Sequence, residues 1–77
     1  MSIRILLADD HKIMRDGLRS MLERLPGVSV VGEADNGRLA VSMVRDGDVD
    51  LVVMDVGMPD LNGIEATRQV RLAAPNV

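Results

Sequence analysis

Two short aliphatic runs in this chain each end in aspartate. Ile3-Arg4-Ile5-Leu6-Leu7-Ala8 stops at Asp9-Asp10, and Leu51-Val52-Val53-Met54 stops at Asp55. Near-continuous aliphatic runs of this length are what strands buried on both faces require, as in a parallel sheet covered by helices. Elsewhere the apolar residues switch to helical spacing. Met14, Leu18, Met21, Leu22 and Leu25 predict a first helix that starts near Asp10 or His11 and stops at Pro26-Gly27. Val28 to Ala34 reads as a second, more polar strand, followed by the turn signal Asp35-Asn36-Gly37. Leu39, Ala40, Met43 and Val44 form the stripe of a short helix ended by Gly47. After Asp55, a loop rich in Gly, Pro and Asn runs to Gly63. A last helix, from about Ile64 to Ala73, carries Ile64, Val70 and Ala73 and stops before Pro75.

Strand–helix alternation repeated three times builds a parallel sheet with right-handed crossovers. The polar second strand suits a sheet edge, whereas the first and third read as interior strands. The expected order is therefore 2-1-3, the beginning of the doubly wound 2-1-3-4-5 arrangement of flavodoxin-like folds. With 77 residues there is material for one small domain.

That topology gives the aspartates their meaning. In open parallel sheets ligands bind beyond the carboxyl ends of the strands, where the strand order reverses. Here the reversal lies between strands 1 and 3, which end in Asp9-Asp10 and Asp55. Adjacent strands are about 4.8 Å apart, so the three carboxylates should converge. Like charges held so close need compensation. The chain has no cysteine and one histidine, so the donors are oxygens and favour a hard divalent cation, Mg²⁺ before others. The competing reading is structural, because an aspartate at a strand end often caps the following helix; Asp10 fits either role. His11 is expected at the helix start in solvent rather than as a ligand, and Asp60 as a loop acid that caps the last helix. The six methionines are expected to fill core space, and Arg15, Arg19, Arg68 and Arg71 to line solvated helix faces.

Composition narrows the function. The net charge is −3, the nine basic residues are scattered, and Phe, Tyr and Trp are absent. Neither a phosphate-neutralising face nor a base-stacking platform is available, so direct nucleic-acid contact by this segment is not expected. The absence of cysteine excludes a disulfide framework and is compatible with a reducing cytoplasm. The Ile3–Ala8 run is too short to span a bilayer, and nothing directs the segment to a membrane.

Leu7-Ala8-Asp9-Asp10-His11, together with Asp55-Val56-Gly57-Met58-Pro59-Asp60-Leu61-Asn62-Gly63, resembles the receiver domain of two-component response regulators. The D-x-x-M-P-x-x-x-G spacing is met at every fixed position, and the acid pair lies at the expected end of strand 1. Asp-Asp-His-Lys-Ile-Met-Arg-Asp-Gly-Leu further resembles the NarL/FixJ-type subgroup. The resemblance implies a CheY-like fold and a cytoplasmic signalling protein rather than an enzyme. It makes Asp55 the phosphoryl acceptor, supplied by a phosphohistidine on a sensor histidine kinase. Asp10 would coordinate Mg²⁺ directly and Asp9 largely through water, with the Gly57 carbonyl adding another oxygen. Met58-Pro59 and Gly63 would shape the loop that presents Asp55. Two other classes compete. A non-phosphorylated dimerisation module has no reason to hold three repelling acids together. A Mg²⁺-dependent phosphatase with an aspartate nucleophile would want a second acid at position 57, where glycine stands.

Five strand–helix units of roughly 24 residues would need about 120 residues. Residues 1–77 are thus expected to be the N-terminal part of a receiver domain. The Ser or Thr of strand 4, the Lys of strand 5 and a C-terminal DNA-binding helix-turn-helix would lie outside them. On its own such a chain would leave strand 3 as an aliphatic edge, and a homodimer, a domain-swapped assembly or a poorly folded chain is expected.

Overall fold

The computed structural model describes residues 2–77. The elements are β1 (Ile3–Ala8), α1 (Lys12–Leu22), β2 (Val28–Ala34), α2 (Gly37–Arg45), β3 (Leu51–Met54) and α3 (Gly63–Ala73). The strands form one parallel sheet in the order β2-β1-β3. This is the flavodoxin-like arrangement expected from the alternating pattern.

Alternation along β1 divides the core in two. Ile5 and Leu7 pack with Val30, Leu18 and Leu22 on the α1 face. Leu6 and Ala8 point the other way, into a larger cluster with Ala34, Ala40, Val41, Val44, Met58, Ala66 and Val70. The second face is the better built. α2 and α3 both bury residues there, whereas α1 buries none completely.

Several local expectations change in the structure. α1 ends at Leu22 rather than reaching Leu25, because the chain tightens into i→i−3 bonds from Arg24 and Leu25 before Gly27 turns at φ 76°. Met14, Met21 and Leu25 are each more than half exposed, so only Leu18 and Leu22 of the expected stripe reach the sheet. Of the methionines, Met58 alone among the described residues is buried; Met1 lies outside them. α3 does not bury Ile64, which is 70% exposed, or Ala73; its inner face is Gly63, Ala66 and Val70. α3 packs chiefly against α2, and small residues on its inner face let the two helices approach closely. β3 reads as an interior strand but pairs only with β1 among the described residues, and Leu51 and Val53 are exposed on the α1 face of the sheet.

Two asparagines start helices. Asn36 Oδ1 accepts from Leu39 N at 2.9 Å at α2, and Asn62 Oδ1 from Glu65 N at 3.0 Å at α3. Asp60 therefore does not cap α3; it sits at φ 69° and pairs with Arg38 at 3.1 Å.

Candidate phosphoacceptor and cation site

Backbone pairing delivers the acids to one place. Ala8 is in register with both Ala34 and Met54, and the ladder continues one step past the strands. Asp9 N donates to the Ala34 carbonyl at 3.0 Å, and Asp55 N to the Ala8 carbonyl at 2.8 Å. Asp9 and Asp55 thus leave the sheet side by side, with Asp10 one residue further along the β1–α1 loop.

One ligand atom from each of Asp9, Asp10, His11 and Asp55 can be chosen so that all four lie within 4.8 Å of one another. Oxygen ligands about 2.0–2.1 Å from a Mg²⁺ ion stand up to about 4.2 Å apart across an octahedron, so these oxygens can close around a single hard cation with small side-chain adjustments. The Asp9 side chain is 14% exposed, that of Asp10 29% and the His11 ring 72%. A shallow groove lined by Leu7, Met14, Leu18 and Val53 runs up to Asp9 and Asp55.

Asp10 does not cap α1. The N-cap residue is His11, whose side chain makes no capping bond. It is Asp9 that satisfies the loop: its Oδ1 accepts from His11 N at 2.8 Å. That bond, with smaller help from the His11 ring and Arg15, holds the Asp9 carboxyl below its usual range despite partial burial. His11 Nδ1 stands 3.0 Å from both Asp9 Oδ1 and Asp10 Oδ1. The Asp9 bond first, and then the Asp10 charge, raise the imidazole above its ordinary value. The expectation of a solvent-exposed histidine at the helix start holds, yet its ring also reaches the acid cluster.

The loop after β3 is held at both ends. Gly57 N donates to Asp55 Oδ1 at 3.2 Å and restrains rotation of the carboxylate. Met58, only 4% exposed, plugs into the larger core cluster. Gly63 N bonds the Val56 carbonyl at 3.0 Å, and Gly63 itself rests against the Asp55 carbonyl with no room for a Cβ. Gly37, at the start of α2, is pressed in the same way against the Leu61 carbonyl.

Arg15 and Arg19 are not both on a solvated face. The Arg15 side chain is 16% exposed and pairs with Glu33 of β2 at 2.9 Å, while Arg19 reaches the other Glu33 oxygen at 2.6 Å. Arg19 first, and then Arg15, pull the Glu33 carboxyl below its ordinary value. Arg68 and Arg71 are exposed as expected, Arg68 pairing with Glu65 on its own helix. The signal for the Glu33 cluster was present in the sequence as two arginines four apart and one acid within a strand, but the paired residues stand 14 and 18 positions apart.

A parallel sheet in the order β2-β1-β3, with helices on both faces and three acids beyond its carboxyl ends, is the arrangement expected of a receiver domain. The chain belongs to the response regulator receiver domain family, whose model matches residues 5–77. It is similar to the response regulator UvrY of Escherichia coli K12, with 45% identity over 75 residues, covering 97% of this chain and 34% of that one. Among solved structures it resembles the response regulator domain of Thermotoga maritima CheB (TM-score 0.94, 38% identity, 99% of this chain and 57% of that one). It also resembles a LuxR-family two-component response regulator from Aurantimonas sp. SI85-9A1 (TM-score 0.90, 44% identity, 97% of this chain and 54% of that one). The chain spans about a third of the length of the curated relatives it matches. No helix among the described residues is long and apolar enough to cross a membrane.

Proposed function

We propose that this chain is the N-terminal part of a receiver domain that accepts a phosphoryl group on Asp55 from a phosphohistidine of a sensor histidine kinase. Asp9, Asp10, Asp55 and the Gly57 carbonyl hold Mg²⁺ in this reading. The observation that carries it is the convergence of the three carboxylates at the carboxyl ends of β1 and β3, in a chain of the receiver family.

Asp55 is the nucleophile. Its carboxylate attacks phosphorus in line, a P–O bond forms, and the P–N bond to the kinase imidazole breaks with its electron pair returning to the ring. Gly57 N–H holds one carboxylate oxygen and so limits the orientations from which Asp55 can attack. Asp9 and Asp10 keep the pocket acidic and would hold a cation beside Asp55, where three bare carboxylates would otherwise repel a phosphoryl group. A bound Mg²⁺ would supply neutralisation of the phosphoryl charge. The acyl phosphate stores the signal as added charge that biases an output domain, transcriptional in this reading, with DNA contacted through a helix-turn-helix elsewhere in the protein. A cytoplasmic location accompanies that role.

Exposure of the intact protein to a small phosphodonor with Mg²⁺ tests the reading. Mass spectrometry is expected to show one added phosphoryl group, lost in Asp55→Asn. Asp10→Ala is expected to lower Mg²⁺ affinity and labelling together. Labelling that persists in Asp55→Asn moves the acceptor elsewhere, and Mg²⁺ affinity unchanged in Asp10→Ala removes the role of Asp10.

A further inference from the structure

Away from the acid cluster, Glu33 near the end of β2 joins two arginines of α1. Its two oxygens are taken by Arg15 Nε at 2.9 Å and Arg19 Nη1 at 2.6 Å. Arg15 has a second partner that Arg19 lacks: its Nη1 donates to the backbone carbonyl of Asp9 at 2.7 Å. The guanidinium therefore bridges β2 and the first residue of the β1–α1 loop. We propose that Arg15 is a positioning residue for the cation site, fixing through the Asp9 carbonyl the loop conformation that presents the Asp9 and Asp10 carboxylates.

Three features support this. The loop needs an external hold, since Asp9, Asp10 and Asp55 repel one another and α1, which follows directly, buries no residue completely. Arg15 is the most enclosed cation whose ion pair the structure records, so its hydrogen bonds compete little with water. The planar fork of a guanidinium can bond a carboxylate and a carbonyl at fixed separation, which a single ammonium cannot. Outer groups that orient a metal ligand act in this way, and their loss typically lowers metal affinity about 10–100-fold. Arg19 provides an internal comparison. It shares Glu33 and docks the same helix, but its recorded bonds go to Glu33 and Glu23 and none reaches the loop.

The inference rests on the Mg²⁺ reading above, and one titration separates the two. Mg²⁺ binding is followed by the amide chemical shifts of Asp9, Asp10 and Asp55 in the intact protein, with stability measured by urea unfolding. Arg15→Ala is expected to weaken Mg²⁺ binding about tenfold. Arg15→Lys, which keeps the charge but loses the fork, is expected to weaken it as well. Arg19→Ala is expected to lose stability while binding Mg²⁺ like the unsubstituted protein. Unchanged affinity in Arg15→Ala, or an equal loss in Arg19→Ala, overturns the positioning role and leaves the Mg²⁺ site standing. If Arg15→Ala does not fold, Arg15→Lys decides, and full affinity there overturns the proposal. An unsubstituted protein whose three amides ignore Mg²⁺ overturns the cation reading and the positioning role with it.

Discussion

Gly63 rests on Asp55 with no space between them for a side chain: a Cβ at Gly63 would run into the Asp55 carbonyl oxygen and come within 2.7 Å of the Val56 Cα. Both obstacles are backbone atoms, so no flexible side chain can yield. α3 can begin directly beside the end of β3 only because position 63 is glycine. Gly63→Ala is therefore expected to cost about 1–3 kcal/mol of stability, as overpacking generally does. Because the displaced atoms belong to Asp55 and Val56, phosphodonor labelling of Asp55 should fall as well. Urea unfolding and labelling of the same variant check both effects, and an unchanged midpoint would show that the loop moves aside freely.

Gly17 provides the opposite case. It lies inside α1, and a Cβ added there meets nothing within 4 Å. Replacing glycine by alanine inside a helix removes backbone freedom from the unfolded chain without new contacts, worth about 1 kcal/mol. Gly17→Ala is expected to raise the unfolding midpoint and leave phosphodonor labelling unchanged. A lowered midpoint would mean that this face of α1 is covered in the protein as it is measured.

The contrast between these glycines bears on what the sequence made legible. The strands and their order could be read because β1 and β3 are nearly continuous aliphatic runs and β2 is not. The acid cluster could be read because parallel pairing brings the residues after Ala8 and Met54 together whatever their side chains. Helix faces were less legible. Hydrophobic size pointed to Ile64 and Met14, but α3 packs through Gly63, Ala66 and Val70, where closeness matters more than bulk. The Arg15–Glu33–Arg19 cluster is a tertiary contact between α1 and β2, and neither element alone indicates which acid an arginine will meet.

That cluster sets a pH dependence. The Glu33 carboxyl is pulled below its ordinary value of 4.5 in the folded state by Arg19 and Arg15. The unfolded chain then binds this proton more readily than the folded one, so stability rises with pH across the window. The contribution is fully present above the unfolded value and is lost as pH falls through the lower folded one. Glu33→Gln is expected to reduce stability near pH 7 and to flatten its decline as pH falls below the ordinary value of 4.5. Asp9, Asp50 and Glu65, also lowered, keep part of that decline in place. Urea midpoints measured from pH 3 to pH 7 check this, and parallel curves for the two proteins would mean that Glu33 titrates alike in both states.

A polypeptide of these 77 residues carries β3 with a single neighbour and with Leu51 and Val53 exposed, at 45% and 36%. Unpaired strand edges of this kind offer free N–H and C=O groups to another chain, and the aliphatic side chains beside them gain by being covered. Exposed Ile13 and Met14 on α1 add apolar surface. Such a polypeptide is expected to self-associate, as a homodimer or by exchange of elements, with β3 in the contact. Placing a charge there, as Val53→Lys does, should shift sedimentation toward monomer, because burying an unpaired ammonium in a strand contact costs more than the covered surface returns. A well-folded monomer for the unsubstituted polypeptide would instead mean that β1 and its helices stabilise the sheet without a partner at β3.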